Sequence, residues 1–477
     1  MLLNPSESSS GVKRSLILAG GGMRVAYQAG VLRALEEAGF SYHHVDGTSG
    51  GTINTAMLFS GLSPVEMCQR WSTLNISDFV SMLPLVHYFK PHKLKAMGDA
   101  DGIIEKVFPH LGLDLTKINR TQTSHATFNV CNHSTKQNLA IRNEDVTLSH
   151  LIAGISLPLF MPAVEIEGDL YTDSVWIKDA NLMEAVKRGA EELWLVWCIG
   201  NSHDFKSNPF LQYVHMIELS ANGGLLEEFN RILEINKRIQ NGDSPYGQKR
   251  PIVLHVIKPP FPIPLDPDLY FGRINGQELV SMGYQHAQSY LSNRQVQGLE
   301  FNWRATSMSE PGTTIVFRQI LTAKTNLYQK KLQIKMRAEA YQLNSADIDN
   351  QTISLFAEFS LEDFAANIPA TAGVMKLRGM AEEDSGFEMQ FNTQEPVRII
   401  GKISSLSLWK MFLGLRVRVH VCLYKGDTKE IYDTALIKIS IFTLMRIYAK
   451  MQIKECSGLL QSLNLKWQYI VRYLLSK

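Results

Sequence analysis

The sequence predicts an α/β fold on a mainly parallel sheet, followed by a second domain rich in β-strands. Up to about residue 291, short apolar runs alternate with helical patterns, which is the signature of a parallel sheet with crossover helices. After about residue 300 the runs become strands that follow one another directly. Apolar runs such as Leu193–Ile199 are too short to span a bilayer, which takes about 20 residues.

Ser15–Ala19 reads as a buried strand, ended by the glycines at 20–22. Ala26–Ala38 follows as a helix with Val31, Leu32 and Leu35 on its inner face and Gly39 closing it. Phe40–Asp46 reads as a second strand and Gly50–Ser60 as a second helix. Ser63-Pro64-Val65-Glu66 combines a capping box with proline in the first turn, so a third helix starts there. Further strands are expected at Ala126–Asn132, Leu193–Ile199 and Ile252–Ile257, and long helical stretches between Pro209 and Gln240. In the β-rich part, Gly312–Ile320, Ile353–Phe359, Phe387–Phe391 and Val397–Ile403 read as strands. Leu415–Tyr424 alternates, with Leu415, Val417, Val419, Val421 and Leu423 on one face and Arg416, Arg418 and His420 on the other. The expected organisation is a polar segment over 1–12, an α/β domain over 13–295 and a β-rich domain over 300–477.

Of 477 residues, 45% are hydrophobic and 20% charged, an ordinary globular composition. A net charge of +2 is too near balance for a nucleic-acid binder. Five cysteines, odd in number and never spaced as CxxC, argue against a disulfide framework or a thiolate zinc site and fit a reducing compartment. Met1–Gly11 has no apolar stretch behind a basic one, so no secretory signal is expected. The expected location is therefore cytoplasmic or on a membrane surface.

Gly47-Thr48-Ser49-Gly50-Gly51 is a G-x-S-x-G sequence between an expected strand and an expected helix. A sharp strand–turn–helix crowds the backbone around the serine, so Gly47 and Gly51 must be small, and the turn lifts Oγ clear of the sheet. The plain alternative is a glycine-rich turn. Gly20-Gly21-Gly22-Met23-Arg24 sits between the first strand and the first helix, where successive amides can converge on a tetrahedral oxyanion. A dinucleotide fingerprint fails because Val25 takes the place of its last glycine, and no GxxxxGK[ST] loop is present.

A glycine triplet with arginine two residues on, then G-x-S-x-G about 25 residues later, resembles the patatin-like phospholipase family. Ala153–Pro162 is similar to the segment before that family's catalytic aspartate, and Tyr171-Thr172-Asp173 to the start of its D-G-[GA] motif. Gly283-Tyr284, before a helix ending near Leu291, looks like its closing helix. The resemblance covers roughly residues 13–291 and implies a three-layer α/β/α domain. It implies a Ser49–Asp173 dyad without histidine, and a lipid acyl hydrolase of phospholipase A or lysophospholipase type needing no metal or cofactor. Gly20, Gly21 and Gly22 would supply oxyanion donors, and Arg24 would steady that loop or meet a phosphate. Two departures stand out: Val25 replaces a glycine, and Asp173-Ser174-Val175 replaces D-G-G. Asp179 is a rival base on the same segment.

Other readings remain beside this one. The substrate could be a neutral lipid or a thioester, or the altered D-S-V could leave a non-catalytic lipid-binding relative. A Ser–Asp–His triad would need a histidine such as His203 or His255, while His43 and His44 read as core or sheet-face residues. The thirteen histidines show no HExxH or paired metal spacing. Pro259–Pro264 reads as a rigid loop after a strand rather than a polyproline ligand. Over 459–477, Leu460, Leu463, Trp467, Ile470, Val471 and Leu474 recur at helical spacing, with Lys466, Arg472 and Lys477. Such a helix suits an anionic membrane surface, or else packs on its own β domain.

Overall fold

The computed structural model describes residues 2–3, 11–79, 81–82, 96, 98–201, 205, 208–343, 352–376, 385–393, 395–404, 406, 408–426, 430–456 and 458–474. The chain divides into two compact units, Met1–Ser309 and Glu310–Lys477. The first unit therefore runs past residue 300. Leu299, Phe301, Ala305 and Met308 pack into the core around Leu193, Leu254 and Phe229.

The first unit carries strands β1 (Arg14–Leu18), β2 (His44–Gly47), β3 (His125–Asn132), β4 (Gln137–Arg142), β5 (Val164–Ile166), β6 (Asp169–Thr172), β7 (Glu192–Val196) and β8 (Val253–Ile257). They form one sheet in the order β8-β7-β1-β2-β3-β6-β5, with β4 beside β3. Pairs β8–β7, β7–β1, β1–β2 and β2–β3 are parallel. The antiparallel additions β4, β5 and β6 extend the sheet at one edge. The strand expected over Phe40–Asp46 begins only at His44, because the Gly39 and Phe40 amides close the preceding helix on Glu36 and Leu35.

Helices α1 (Ala26–Glu37), α2 (Gly50–Phe59), α3 (Pro64–Thr73), α4 (Leu148–Ile155), α5 (Leu182–Lys187), α6 (Pro209–Gln240), α7 (Asp266–Tyr270) and α8 (Gly276–Ser292) accompany the sheet. The Ser63–Glu66 capping box is present, with both reciprocal hydrogen bonds. The helical text after Pro209 is a single 32-residue helix, started by Asn208 accepting from the Phe210 and Leu211 amides. Because β1, β2, β7 and β8 run parallel, the turns after them all leave from one edge of the sheet, where ligand sites of open α/β folds form.

The second unit holds β9 (Thr314–Lys324), β10 (Lys331–Ala340), β11 (Thr352–Leu361), β12 (Ala365–Lys376), β13 (Ser385–Phe391), β14 (Val397–Ser404), β15 (Val417–Lys425), β16 (Ile431–Ile439) and β17 (Gln452–Lys454). These form a nine-stranded antiparallel sheet, curled into a half-barrel, in the order β16-β15-β14-β13-β12-β11-β10-β9-β17. A Thr325–Ala435 bridge brings the end of β9 beside β16. In β15 the expected alternation holds: Val417, Val419, Val421 and Leu423 are buried, while Arg418 and His420 are exposed. Leu415 departs from it, lying before the strand and 52% exposed. Helices α9 (Leu408–Phe412), α10 (Ile441–Lys450) and α11 (Leu459–Leu474) add Met411, Leu444, Ile447, Leu465, Tyr469 and Ile470 to the buried face.

Candidate active site

Two tight turns at that sheet edge are built by steric necessity. At the first, β1 gives way to Gly20-Gly21-Gly22 and a 3-10 turn over Gly22–Val25 that leads into α1. Gly22 has φ +59°, and a Cβ there would sit 2.3 Å from Asp266 Oδ2. At the second, β2 passes through Thr48 and Ser49 into α2, with Ser49 at φ 51°, ψ −130°. A non-glycine residue in that region stores on the order of 1–3 kcal/mol of strain, and such residues cluster at functional sites. A Cβ at Gly51 would meet the Leu18 carbonyl oxygen at 2.0 Å, and one at Gly47 would meet Thr55 Oγ1 at 2.4 Å. The two turns also touch: a Cβ at Gly50 would come within 2.5 Å of the Gly22 carbonyl oxygen.

Asp173 stands at the end of β6, buried, with its amide donating to the Ser156 carbonyl at 3.0 Å. Its Oδ1 accepts the Val175 N–H at 2.9 Å. Its Oδ2 is enclosed and has no partner in good hydrogen-bond geometry. The Ser49 hydroxyl is the side chain close enough to this carboxylate to lower its proton affinity. Burial outweighs that and pushes the Asp173 pKa up to about 7, with the Ser49 and Val175 contacts pulling the other way. Ser174, where the family pattern has glycine, does not take positive φ, and its hydroxyl turns away to the Lys178 carbonyl at 3.1 Å. The serine is thus accommodated without a left-handed backbone.

Asp179 also lies in the site, fully buried, with a different attachment. Both of its oxygens accept the Gly20 N–H at 3.1 Å. The Gly20 N–H, expected among the oxyanion donors, is thus directed at Asp179. Among the described residues, the Gly21 and Gly22 amides donate to nothing. Arg24 donates from Nε to the Gly21 carbonyl at 3.0 Å, which steadies the turn. Burial, then the Asp173 charge, hold Asp179 well above the ordinary carboxylate range, with Gly20 and Arg24 opposing.

Sequence reasoning missed two supports. Asp266, at the start of α7, brings its carboxylate against this turn, close to the Met23 and Arg24 amides, which pull its pKa down against burial. It is more than 240 residues from them, and only an acidic first helical turn marks it. Beneath the elbow, Asp46 is buried at the end of β2 and accepts from Thr127 Oγ1 at 2.5 Å and Asn129 Nδ2 at 2.8 Å. Asn129 Nδ2 also reaches the Gly47 carbonyl at 3.0 Å, and its Oδ1 accepts from Asn181 Nδ2 at 2.8 Å. Burial pushes the Asp46 pKa up to about 7.

An aromatic wall stands close to Asp173. Tyr213 of α6 donates to the Pro158 carbonyl at 2.7 Å and meets Trp176 and Phe160 edge-on, at 5.8 and 5.6 Å between ring centres. Burial, followed by the Asp173 charge, pushes its phenol up to about 12. His44 and His255 have partners of their own. His44 Nε2 pairs with Thr127 Oγ1, and His255 pairs with the Tyr290 hydroxyl and stacks on Trp194. His203 lies outside the described residues. No group of three or more His, Cys, Asp or Glu side chains positioned for a metal occurs among the described residues.

Residues 16–186 match the family described as patatin-like phospholipase. Among solved structures, the chain is similar to VipD from Legionella pneumophila at 14% identity and a TM-score of 0.29, over 60% of this chain and 68% of that one. It is also similar to a chain of the complex of full-length SpcU with full-length ExoU from the type III secretion system of Pseudomonas aeruginosa. There the identity is 14% and the TM-score 0.25, over 48% of this chain and 60% of that one. No curated protein matches the chain.

Proposed function

We propose that this chain, whose residues 16–186 form a patatin-like phospholipase domain, cleaves the carboxylic esters of lipids through an acyl-enzyme on Ser49. The family supports a lipid-ester hydrolase. The observation that carries the Ser49–Asp173 dyad is the pairing of a strained serine with a buried carboxylate whose Oδ2 has no other donor.

In this reading Ser49 Oγ attacks the ester carbonyl carbon as its proton passes to Asp173 Oδ2. The carbonyl electron pair moves onto oxygen, which the Gly21 and Gly22 N–H groups receive beside the positive end of α2. Collapse expels the alcohol portion, which takes the proton from Asp173. Water then gives a proton to Asp173 and attacks the acyl-enzyme, and Ser49 recovers its proton as the fatty acid leaves. Phe160, Trp176 and Tyr213 offer an apolar wall for the acyl chain. The substrate class is a phospholipid or lysophospholipid. The placement of Ser174 removes the steric ground for reading D-S-V as a dead site.

We further propose that the second unit meets the membrane. In α11, Leu465, Tyr469 and Ile470 are buried, so the helix packs on its own sheet. Leu460, Leu463 and Trp467 nonetheless face outward, at 83%, 40% and 45% exposure, with Lys466 beside Tyr448. The side chains of Arg472 and Lys477, expected to add positive charge at the end of this helix, lie outside the described residues. No described helix is long and apolar enough to cross a membrane. The decisive experiment incubates the purified protein with a mixed lipid extract and identifies which species lose acyl chains. Loss of phospholipid acyl chains with wild type and none with Ser49→Ala supports the reading; no change with either sinks it.

A further inference from the structure

We propose that Asp179 and Asp266 are positioning residues that clamp the glycine turn from its two ends and so leave Gly21 and Gly22 N–H as the oxyanion-binding pair. The inference rests on the reading of Ser49 as the nucleophile.

Three contacts carry it. At the front of the turn, Gly20 N–H is held between both oxygens of Asp179, and the fit is close: any Cβ at Gly20 would lie 2.2 Å from Asp179 Oδ1 and 2.9 Å from Ser49 Cβ. Behind the turn, the Asp266 carboxylate lies close enough to the Met23 and Arg24 amides to feel them, and its Oδ2 crowds Gly22, where a Cβ would come within 2.3 Å. Between them, the Gly21 carbonyl accepts from Arg24 twice, from N at 3.2 Å and from Nε at 3.0 Å. In a trans peptide the C=O and the following N–H point in opposite directions, so fixing the Gly21 carbonyl on Arg24 directs Gly22 N–H away from it. Gly21 is itself buried, and a buried amide without an acceptor costs about 1–3 kcal/mol. An oxyanion would remove that cost at the moment of reaction.

Two carboxylates beside an oxyanion would oppose catalysis if both were charged. Burial and the Asp173 charge raise the proton affinity of Asp179, which favours its neutral form. Burial raises that of Asp266 as well, and the Arg24 charge opposes the Asp266 charge. Both effects limit the repelling field that the clamp adds.

The test uses the full chain and a soluble p-nitrophenyl butyrate assay with Asp179→Ala, Asp179→Asn, Asp266→Ala and Asp266→Asn, each checked by thermal melting. Asparagine keeps an acceptor for the backbone N–H groups, whereas alanine leaves them loose. We expect the alanine variants to lose about 10²-fold in kcat, the usual cost of one oxyanion donor, with KM changed less than about twofold. The asparagine variants should recover most of that loss and keep the acid limb of the wild-type pH profile. Folded alanine variants with wild-type kcat would overturn the clamp while leaving the hydrolase reading intact. Asp179→Asn as inactive as Asp179→Ala, with the acid limb gone, would make Asp179 the base and overturn it too. Where an alanine variant fails to fold, Asp179→Glu and Asp266→Glu carry the same test, since a longer acid displaces the turn. Wild-type kcat in those folded variants would count against the clamp. Lack of turnover by wild type itself would overturn both readings together.

Discussion

Asp173 and Asp179 are both buried against the same pair of turns, but Asp179 places both oxygens on the Gly20 amide whereas Asp173 leaves Oδ2 without a donor. Of the two, Asp173 has the oxygen without a donor and is the one whose proton affinity the Ser49 hydroxyl lowers. Ser49→Ala and Asp173→Asn should each lower ester hydrolysis by on the order of 10⁴-fold or more, because nucleophile and base act as a unit and either loss approaches the double loss. A fluorophosphonate probe should label wild type and fail on Ser49→Ala. Turnover within about tenfold of wild type in either variant would remove the dyad.

The raised pKa of Asp173 sets the pH dependence. Its carboxylate must be ionised to accept the proton, so kcat/KM should fall as pH drops through about 7. Stability moves the opposite way. Between about pH 4 and 7 the unfolded chain has released this proton and the folded chain retains it, so stability declines as pH rises through that window. The decline corresponds to at most about 4 kcal/mol from this group. Asp173→Asn should therefore be inactive yet melt a few degrees above wild type at pH 8, with the difference vanishing near pH 4. Equal melting temperatures at pH 8 would contradict the burial account.

The Ser49 backbone makes a separate prediction. Its φ of 51° and ψ of −130° suit glycine and strain any residue with a Cβ. Ser49→Ala should leave the melting temperature near wild type, because the strain persists. Ser49→Gly should raise stability, and the melting temperature with it, by about 1–3 kcal/mol of relieved strain, less the entropy of glycine in the unfolded chain. Glycine melting below alanine would mean that the turn is not strained.

The two glycine motifs and the parallel core were legible because their signals are local: a strand, a tight turn and a helix lie within one short stretch of text. Asp173, the proposed base, was legible only through the resemblance at Tyr171-Thr172-Asp173. Asp266 was not, because its neighbours Met23 and Arg24 are brought to it by the path of β8, and an acidic residue in a first helical turn usually serves its own helix. The contact of Gly20 was hidden for a related reason. Spacing shows that three amides are available, but which one is already bonded depends on Asp179, 159 positions away. In the second unit, strands such as Val417–Lys425 announced themselves by alternation. Lys331–Ala340 carries the same alternation, with Leu332, Ile334, Met336, Ala338 and Ala340 on one face, and was missed; burial of Arg337 and Glu339 on its other face, as an ion pair at 2.5 Å, is what its sequence does not show.

Asn129 links Asp46, the Gly47 carbonyl and Asn181 under the elbow. Asn129→Leu would strip donors from a buried carboxylate and a buried carbonyl, so it should cost about 2–4 kcal/mol in chemical denaturation. Activity should fall too, since the Gly47 carbonyl precedes Ser49 by two residues. A loss below about 1 kcal/mol would mean that water or a repacked side chain replaces the amide.

The outward face of α11 gives the last prediction. A helix that only packs on its sheet gains nothing from large apolar side chains on its far side, yet Leu460, Leu463 and Trp467 are all turned outward. Partial burial of three such side chains in a bilayer contributes about 1 kcal/mol each, and Lys466 adds about 1 kcal/mol near an anionic surface. Replacing all three with serine in the full chain should lower partitioning onto phosphatidylserine-containing vesicles about a hundredfold. Hydrolysis of a soluble ester should stay within about twofold of wild type, because Ser49 and Asp173 belong to the other unit. Unchanged vesicle binding would leave the packing of Leu465, Tyr469 and Ile470 as the whole role of the helix. Loss of soluble-ester activity in step with vesicle binding would instead tie α11 to the integrity of the hydrolase, and the membrane proposal would fall.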